Sequence, residues 1–130
     1  MSDKNQERQT RLHEAEQWYS TEVAKSTSFP HSVSSNVHPF TPSFEEWVIL
    51  LLLRNSPMYA SEITRDYERL FGCTSPECVS ILHTTFDELL THEVIRTRTG
   101  TEKNPQYQTC DSWKSFILAL GIPPCIERMA

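Results

Sequence analysis

The chain has 130 residues, 38% of them hydrophobic, and a formal net charge of -5, which leaves room for one compact domain with an apolar core and excludes two of ordinary size. An acidic balance argues against a dedicated nucleic-acid binder, whose Lys and Arg displace counterions from phosphates. Charges run through the first seventeen residues without an apolar stretch, which excludes a secretory signal, and the longest apolar run, Trp47 to Leu53, is seven residues, far short of a membrane span. A cytoplasmic protein is expected.

Apolar residues are sparse in residues 1–42 and concentrated between Phe44 and Ile126, so the core is expected in the second region. From Asn5 to about Lys25, the spacing of Leu12, Ala15, Trp18, Tyr19 and Val23 predicts one apolar face of a helix. Residues 26–42 change to Ser, Pro, Val and Phe, and Pro30, Pro39 and Pro42 forbid a long helix. This stretch reads as an extended arm, with Phe29, Val33, Val37 and Phe40 available to rest in grooves of this subunit or a partner.

Ser43-Phe44-Glu45-Glu46 has the pattern of a capping box, and the helix it opens continues through Trp47 to Leu53, apolar on nearly all sides, to end by Pro57. A second helix is predicted from about Ala60 to Phe71, with Ile63, Tyr67, Leu70 and Phe71 on one face and Gly72 as its stop. Ser75-Pro76 opens a third, Ser75 capping and Pro76 in the first turn, with Val79, Leu82, Phe86, Leu89 and Leu90 as the buried stripe. The period then changes to two. Val94 to Thr99 and Gln106 to Cys110 read as strands around a Gly100–Pro105 turn. Asp111 is expected to cap a last helix through Trp113, Phe116, Ile117 and Leu120, closed by Gly121 and Pro123-Pro124.

The expected fold is therefore mainly α with a small β-hairpin wing, a winged helix-turn-helix of α+β class. Its parts are an N-terminal helix and arm over residues 1–42, the winged-helix domain over 43–122 and a C-terminal tail over 123–130.

The charge is unevenly spread. Residues 76–95 carry no Lys or Arg against four acids, whereas residues 96–110 carry three Lys/Arg against one acid. In a winged helix the third helix enters the major groove and the hairpin lies along a minor groove or phosphate ridge. Arg96 and Arg98 alternate along their strand, so with Lys103 they are expected to project to one side and reach the backbone or a narrow minor groove. An ordinary solvated hairpin, with charges that blunt an edge strand, is the structural alternative. On the third helix, Ser80, His83 and Thr84 are the candidate donors to bases or phosphates, with Glu77 a possible acceptor from cytosine. Asp87 and Glu88 would repel phosphate, or lie on a solvated face turned away. Arg65 and Arg69 on the second helix are further candidates for phosphate contact.

The stretch ILLLLRNSPMYASEI, residues 49–63, resembles the start of PadR-like transcriptional regulators, in which a leucine-rich helix is followed by a Pro-Met turn and a Glu-Ile pair; Leu52, Leu53, Pro57, Met58, Glu62 and Ile63 carry the match. Ser75-Pro76 resembles the family's start of the recognition helix, Leu89 with Val94-Ile95 its exit into the wing, and Gln106-Tyr107-Gln108 its return strand. The resemblance covers about residues 44–121. The Ser75 to Ile95 spacing is about one helical turn longer than usual, and Glu93 stands where the family commonly has Gly. The family's long C-terminal dimerisation helices have no counterpart before Ala130, which leaves Leu12, Trp18, Tyr19 and Val23 of the first helix, with Trp113 and Phe116 of the last, as the expected dimer contact.

The resemblance implies a homodimeric repressor that binds double-stranded promoter DNA, and the organisation of a small domain with an N-terminal helical extension is similar to that of PadR-like repressors acting on the circadian clock. The other reading is a winged-helix protein-interaction module without DNA binding, since the same fold also serves for docking. Four cysteines, Cys73, Cys78, Cys110 and Cys125, are expected to be free thiols. A zinc site through Cys73, Cys78, His83 and Cys110 lacks the tight knuckle spacing, and a thiol or ligand sensor through Cys73 and Cys78 is a third idea. The histidines His13, His31, His38, His83 and His92 form no ligand pattern. With three glycines, no phosphate loop, no nucleophile elbow and no acid/base pair, an enzyme, a cofactor, a metal and a small-molecule ligand are not expected.

Overall fold

The computed structural model describes residues 2–25, 42–72, 76–119 and 121–127, with the backbone alone for residues 2–5, 23–25, 76–78 and 119. Helices α1 (Ser2–Lys25) and α2 (Phe44–Leu53) are followed by a short strand β1 (Met58–Tyr59), helices α3 (Ala60–Phe71) and α4 (Pro76–Thr91), strands β2 (Ile95–Gly100) and β3 (Pro105–Thr109), and helices α5 (Asp111–Ala119) and α6 (Pro124–Glu127). The described residues are mainly helical, with one antiparallel sheet of order β1-β3-β2. No helix among them is long and apolar enough to cross a membrane. The arm residues Phe29, Val33, Val37 and Phe40 lie outside the described residues.

Helix α2 is the centre of the core, with Trp47 to Leu53 all buried. It starts at the expected capping box: the Glu46 amide donates to Ser43 Oγ at 3.3 Å and the Ser43 amide donates to Glu46 Oε1 at 2.7 Å. The buried faces of α3 (Ile63, Tyr67, Leu70) and α4 (Leu82, Phe86, Leu89) follow the expected stripes. Strand β1 was not legible as a strand. Its two residues pair with β3, Met58 opposite Tyr107 and Tyr59 opposite Gln106, and a contact across so long a loop leaves no local periodicity.

Both central helices stop in the left-handed region. Gly72 takes φ 78° and its amide donates to Glu68 O at 2.7 Å. At the end of α4, Glu93 takes φ 59°, with Glu93 N donating to Leu90 O at 3.1 Å and Val94 N to Leu89 O at 3.0 Å. That pair of bonds is a Schellman motif, and the buried Leu89 and Val94 supply its apolar contact. A side chain with Cβ is strained there, where glycine would be free of the penalty.

Three expectations about the chain's two ends change. Helix α1 docks on its own chain: Ala15 is 0% exposed, and the Arg11 guanidinium donates to Leu70 O at 2.9 Å and Arg69 O at 3.0 Å, carbonyls of the last turn of α3. Residues 123–127 are no free tail, because α6 buries Cys125 and Ile126. Asp111 lies in the first turn of α5, and Cys110 is the cap residue, its carbonyl accepting from Lys114 N at 3.1 Å. Leu120 lies outside the described residues.

Candidate nucleic-acid interface

The hairpin follows α4 directly and packs on it through Phe86 and Tyr107, whose ring centroids are 5.0 Å apart. In β2 only Ile95 is buried; Arg96 to Gly100 are exposed. The register corrects the expected alternation of the arginines. Arg96 stands opposite Gln108, Thr97 opposite Tyr107 and Thr99 opposite Gln106, with a shift between Thr97 and Thr99. Arg98 is the extra residue of that bulge. Residues directly opposite each other share a face, so Thr99 rather than Arg98 continues the face of Arg96. A bulge bends the strand and re-aims its residue, so Arg98 is displayed on a different line from Arg96.

Arg96 is engaged across the hairpin. With the Gln108 amide oxygen turned to it, its Nε and Nη2 donate at 3.0 and 2.7 Å. The turn is held at two levels. Gly100 takes φ 99°, and a Cβ there would lie 2.5 Å from Asn104 O, so no other residue fits without a backbone shift. Beyond it, Asn104 N donates to Thr101 O at 3.1 Å, while the Asn104 side-chain oxygen accepts from Ser61 N at 3.0 Å. Ser61 is in the first turn of α3, so Asn104 ties the tip of the hairpin to that helix, next to the exposed Lys103. Sequence reasoning missed this role of Asn104, since a turn asparagine reads as turn chemistry alone.

On α4, Ser80, His83 and Thr84 are exposed, together with Asp87 and Glu88. Thr84 is a poorer donor than expected, because its hydroxyl already donates to Ser80 O at 3.1 Å. The His83 ring lies edge-on to Phe86, centroids 6.2 Å apart. The Glu77 side chain lies outside the described residues. Ile81 is 52% exposed on this surface, an apolar group that the core pattern did not single out. Arg65 and Arg69 are exposed on α3, with Asp66 Oδ1 3.9 Å from Arg65 Nε.

The residues expected at a dimer contact take different positions within the single chain. Trp113 is 1% exposed within the single chain and belongs to its core. Tyr19 is half-buried against Phe44 and Trp47, with centroids 5.8 and 5.6 Å away, and its hydroxyl donates to Pro42 O at 2.6 Å. Trp18 packs on the same core and reaches Gly121. These side chains pack within their own chain. Leu12 and Phe116 are half-buried, and the Val23 side chain lies outside the described residues. On α5 the exposed apolar residue is Leu118, at 57%.

Cys73 and the side chain of Cys78 lie outside the described residues, so the thiol-sensor and zinc ideas are not addressed there. Cys110 and Cys125 are free thiols. Burial pushes both thiols above their ordinary range, against the opposing Arg96 charge at Cys110, so both stay protonated at neutral pH. No family model, curated protein or solved structure matches the chain.

Proposed function

We propose that this protein is a sequence-specific DNA-binding transcriptional regulator, a repressor that binds promoter DNA as a homodimer. In this reading the fold is a winged helix-turn-helix, with α4 in the major groove and the β2–β3 hairpin on the minor groove or phosphates. The observation that carries it is the hairpin: an exposed strand with Arg96 and Arg98, directly after α4, and an exposed Lys103 in a turn that Asn104 ties to the start of α3. The order helix, strand, helix, helix, strand, strand from α2 to β3 supports the winged-helix assignment. A two-fold dimer would separate the two α4 helices by about 34 Å and so recognise half-sites about one turn of DNA apart. With Trp113 in the core, Leu12, Phe116 and the exposed Leu118 are the remaining apolar groups for that contact.

The test is equilibrium binding to DNA fragments selected from the genome, as a function of salt. The double substitution Arg96→Ala and Arg98→Ala is expected to weaken binding across sequences and to flatten the slope of log affinity against log salt by about 1.8, roughly 0.9 per lost phosphate contact. Both side chains are exposed, and the loss of the Arg96–Gln108 bonds should lower stability by only about 1 kcal/mol. An unchanged slope removes the hairpin from the interface.

A second reading, a protein-docking module, is favoured by the surface of α4, where Asp87 and Glu88 flank the exposed Ile81 without a cation on that helix. A stable protein partner, together with no binding to any duplex at low salt, selects it.

A further inference from the structure

Three elements line a cavity of about 110 Å³: the segment that ends α2, from Leu53 to Pro57, the end of β3 with Gln108 and Thr109, and the first turn of α5 with Asp111 and Lys114. That volume is far below the roughly 300 Å³ at which pockets for drug-sized ligands begin, so it suits one small ion or molecule. Thr109 is 9% exposed, and its Oγ1 is buried with no hydrogen-bond partner among the described residues. A buried hydroxyl left unpaired is costly, and an occupant of the cavity that Thr109 lines would relieve that cost.

The lining supplies positive charge and donors. Arg54 is the C-cap of α2, half-buried, and its Nη1 donates to Leu51 O at 2.5 Å. That bond anchors the guanidinium at the cavity and uses only part of its N–H complement. Burial disfavours the Arg54 charge, opposed by Glu127 of α6, so an anion beside it would compensate a partly desolvated cation. Lys114 is exposed and brings a second positive charge from α5. Gln108 has its amide oxygen turned to Arg96, which leaves its NH2 group to donate elsewhere. The cap residue of α5, Cys110, has no side-chain oxygen for the first-turn amides, and a helix start favours negative charge.

Asp111 is the acid among the described lining residues, and it decides which anion fits. A carboxylate repels an oxyanion that has no proton and accepts a hydrogen bond from one that keeps a proton. At neutral pH phosphate keeps a proton and sulfate has none. We infer that this cavity is a binding site for a small, proton-bearing oxyanion of the phosphate class. Arg54 and Lys114 supply the charge, Thr109 and Gln108 donate, and Asp111 accepts from the anion's hydroxyl. The inference does not depend on the DNA-binding reading, in which none of these five side chains is assigned to DNA.

The test is titration calorimetry on the full chain with inorganic phosphate, sulfate and chloride, at matched ionic strength and neutral pH. Phosphate should bind at one site with a dissociation constant of about 1 mM or tighter, and sulfate at least about tenfold more weakly. Asp111→Asn should close that gap. Lys114→Gln should weaken phosphate by at least about tenfold, since a charge-assisted hydrogen bond is lost. Thr109→Val has a signature that a purely structural role lacks. In chloride it should raise the thermal midpoint by removing the unpaired hydroxyl, yet it should weaken phosphate about fivefold. Lys114 is exposed, so Lys114→Gln remains a folded test should Thr109→Val not fold. The proposal is overturned by no saturable phosphate binding up to about 10 mM, by equal binding of sulfate to the wild type, or by phosphate affinity unchanged in Lys114→Gln and Thr109→Val.

Discussion

Helix α4 and the β2–β3 hairpin are consecutive in the chain and joined through Phe86 and Tyr107, yet they carry opposite charge on different foundations. The acids Asp87 and Glu88 of α4 are exposed, and Asp87 helps to raise the Tyr107 hydroxyl, after burial. The cations of the hairpin are displayed on its exposed strand and turn, where Arg96 also donates to the Gln108 amide and Asn104 ties the turn to α3. Positive charge near phosphate is useful only when it is accessible and its position fixed, and the hairpin meets both conditions. In the DNA-binding reading proposed above, the acidic helix leaves the hairpin as the source of attraction to DNA.

The strongest way to break this division is to cut the joint between the two regions. Phe86 is buried and packs on Tyr107, so Phe86→Ala should cost about 3–5 kcal/mol. Urea unfolding followed by hairpin amide exchange should show both regions losing protection together. Retained protection in the hairpin at the variant's lower midpoint would mean that the hairpin stands without α4, and the account of a shared foundation would fail.

A smaller effect should separate the tip of the hairpin from its base. Asn104→Ala removes the acceptor for Ser61 N and is expected to cost about 1 kcal/mol. Exchange at the Ser61 amide should accelerate more than at Thr97 in the middle of the strand. Equal acceleration at both sites would show that Asn104 supports the hairpin as a whole rather than tying its tip to α3.

Much of this division was legible from local pattern. The Ser43–Glu46 box, the stripes of α3 and α4, and the stop at Gly72 each depend on residues within a few positions of one another, so spacing reveals them. The features that were not legible depend on distant partners or on a choice between equivalent surfaces. Strand β1 exists only through β3, and the bulge at Arg98 has no glycine to mark it. Trp113 lay on an apolar helical face that could meet a partner or the chain's own core, and periodicity does not distinguish the two.

The smallest expected effect sharpens the comparison at the boundary between the regions. Glu93 at φ 59° performs for α4 what Gly72 at φ 78° performs for α3, but with a Cβ in a region that disfavours it. Glu93→Gly removes that strain, offset by the greater freedom of glycine in the unfolded chain, for a net gain of about 0.5–1 kcal/mol. The substitution also removes a negative charge that acts with Arg96 on Cys110, so a gain alone would not separate backbone from electrostatics. Glu93→Ala removes the charge and keeps the strain, whereas Glu93→Asn removes the charge in a side chain that tolerates this conformation. If the backbone governs, thermal midpoints should rank Gly above Asn above Ala. If charge governs, all three should rise together, and the stop of α4 would owe its cost to the acidic surface it ends rather than to its geometry.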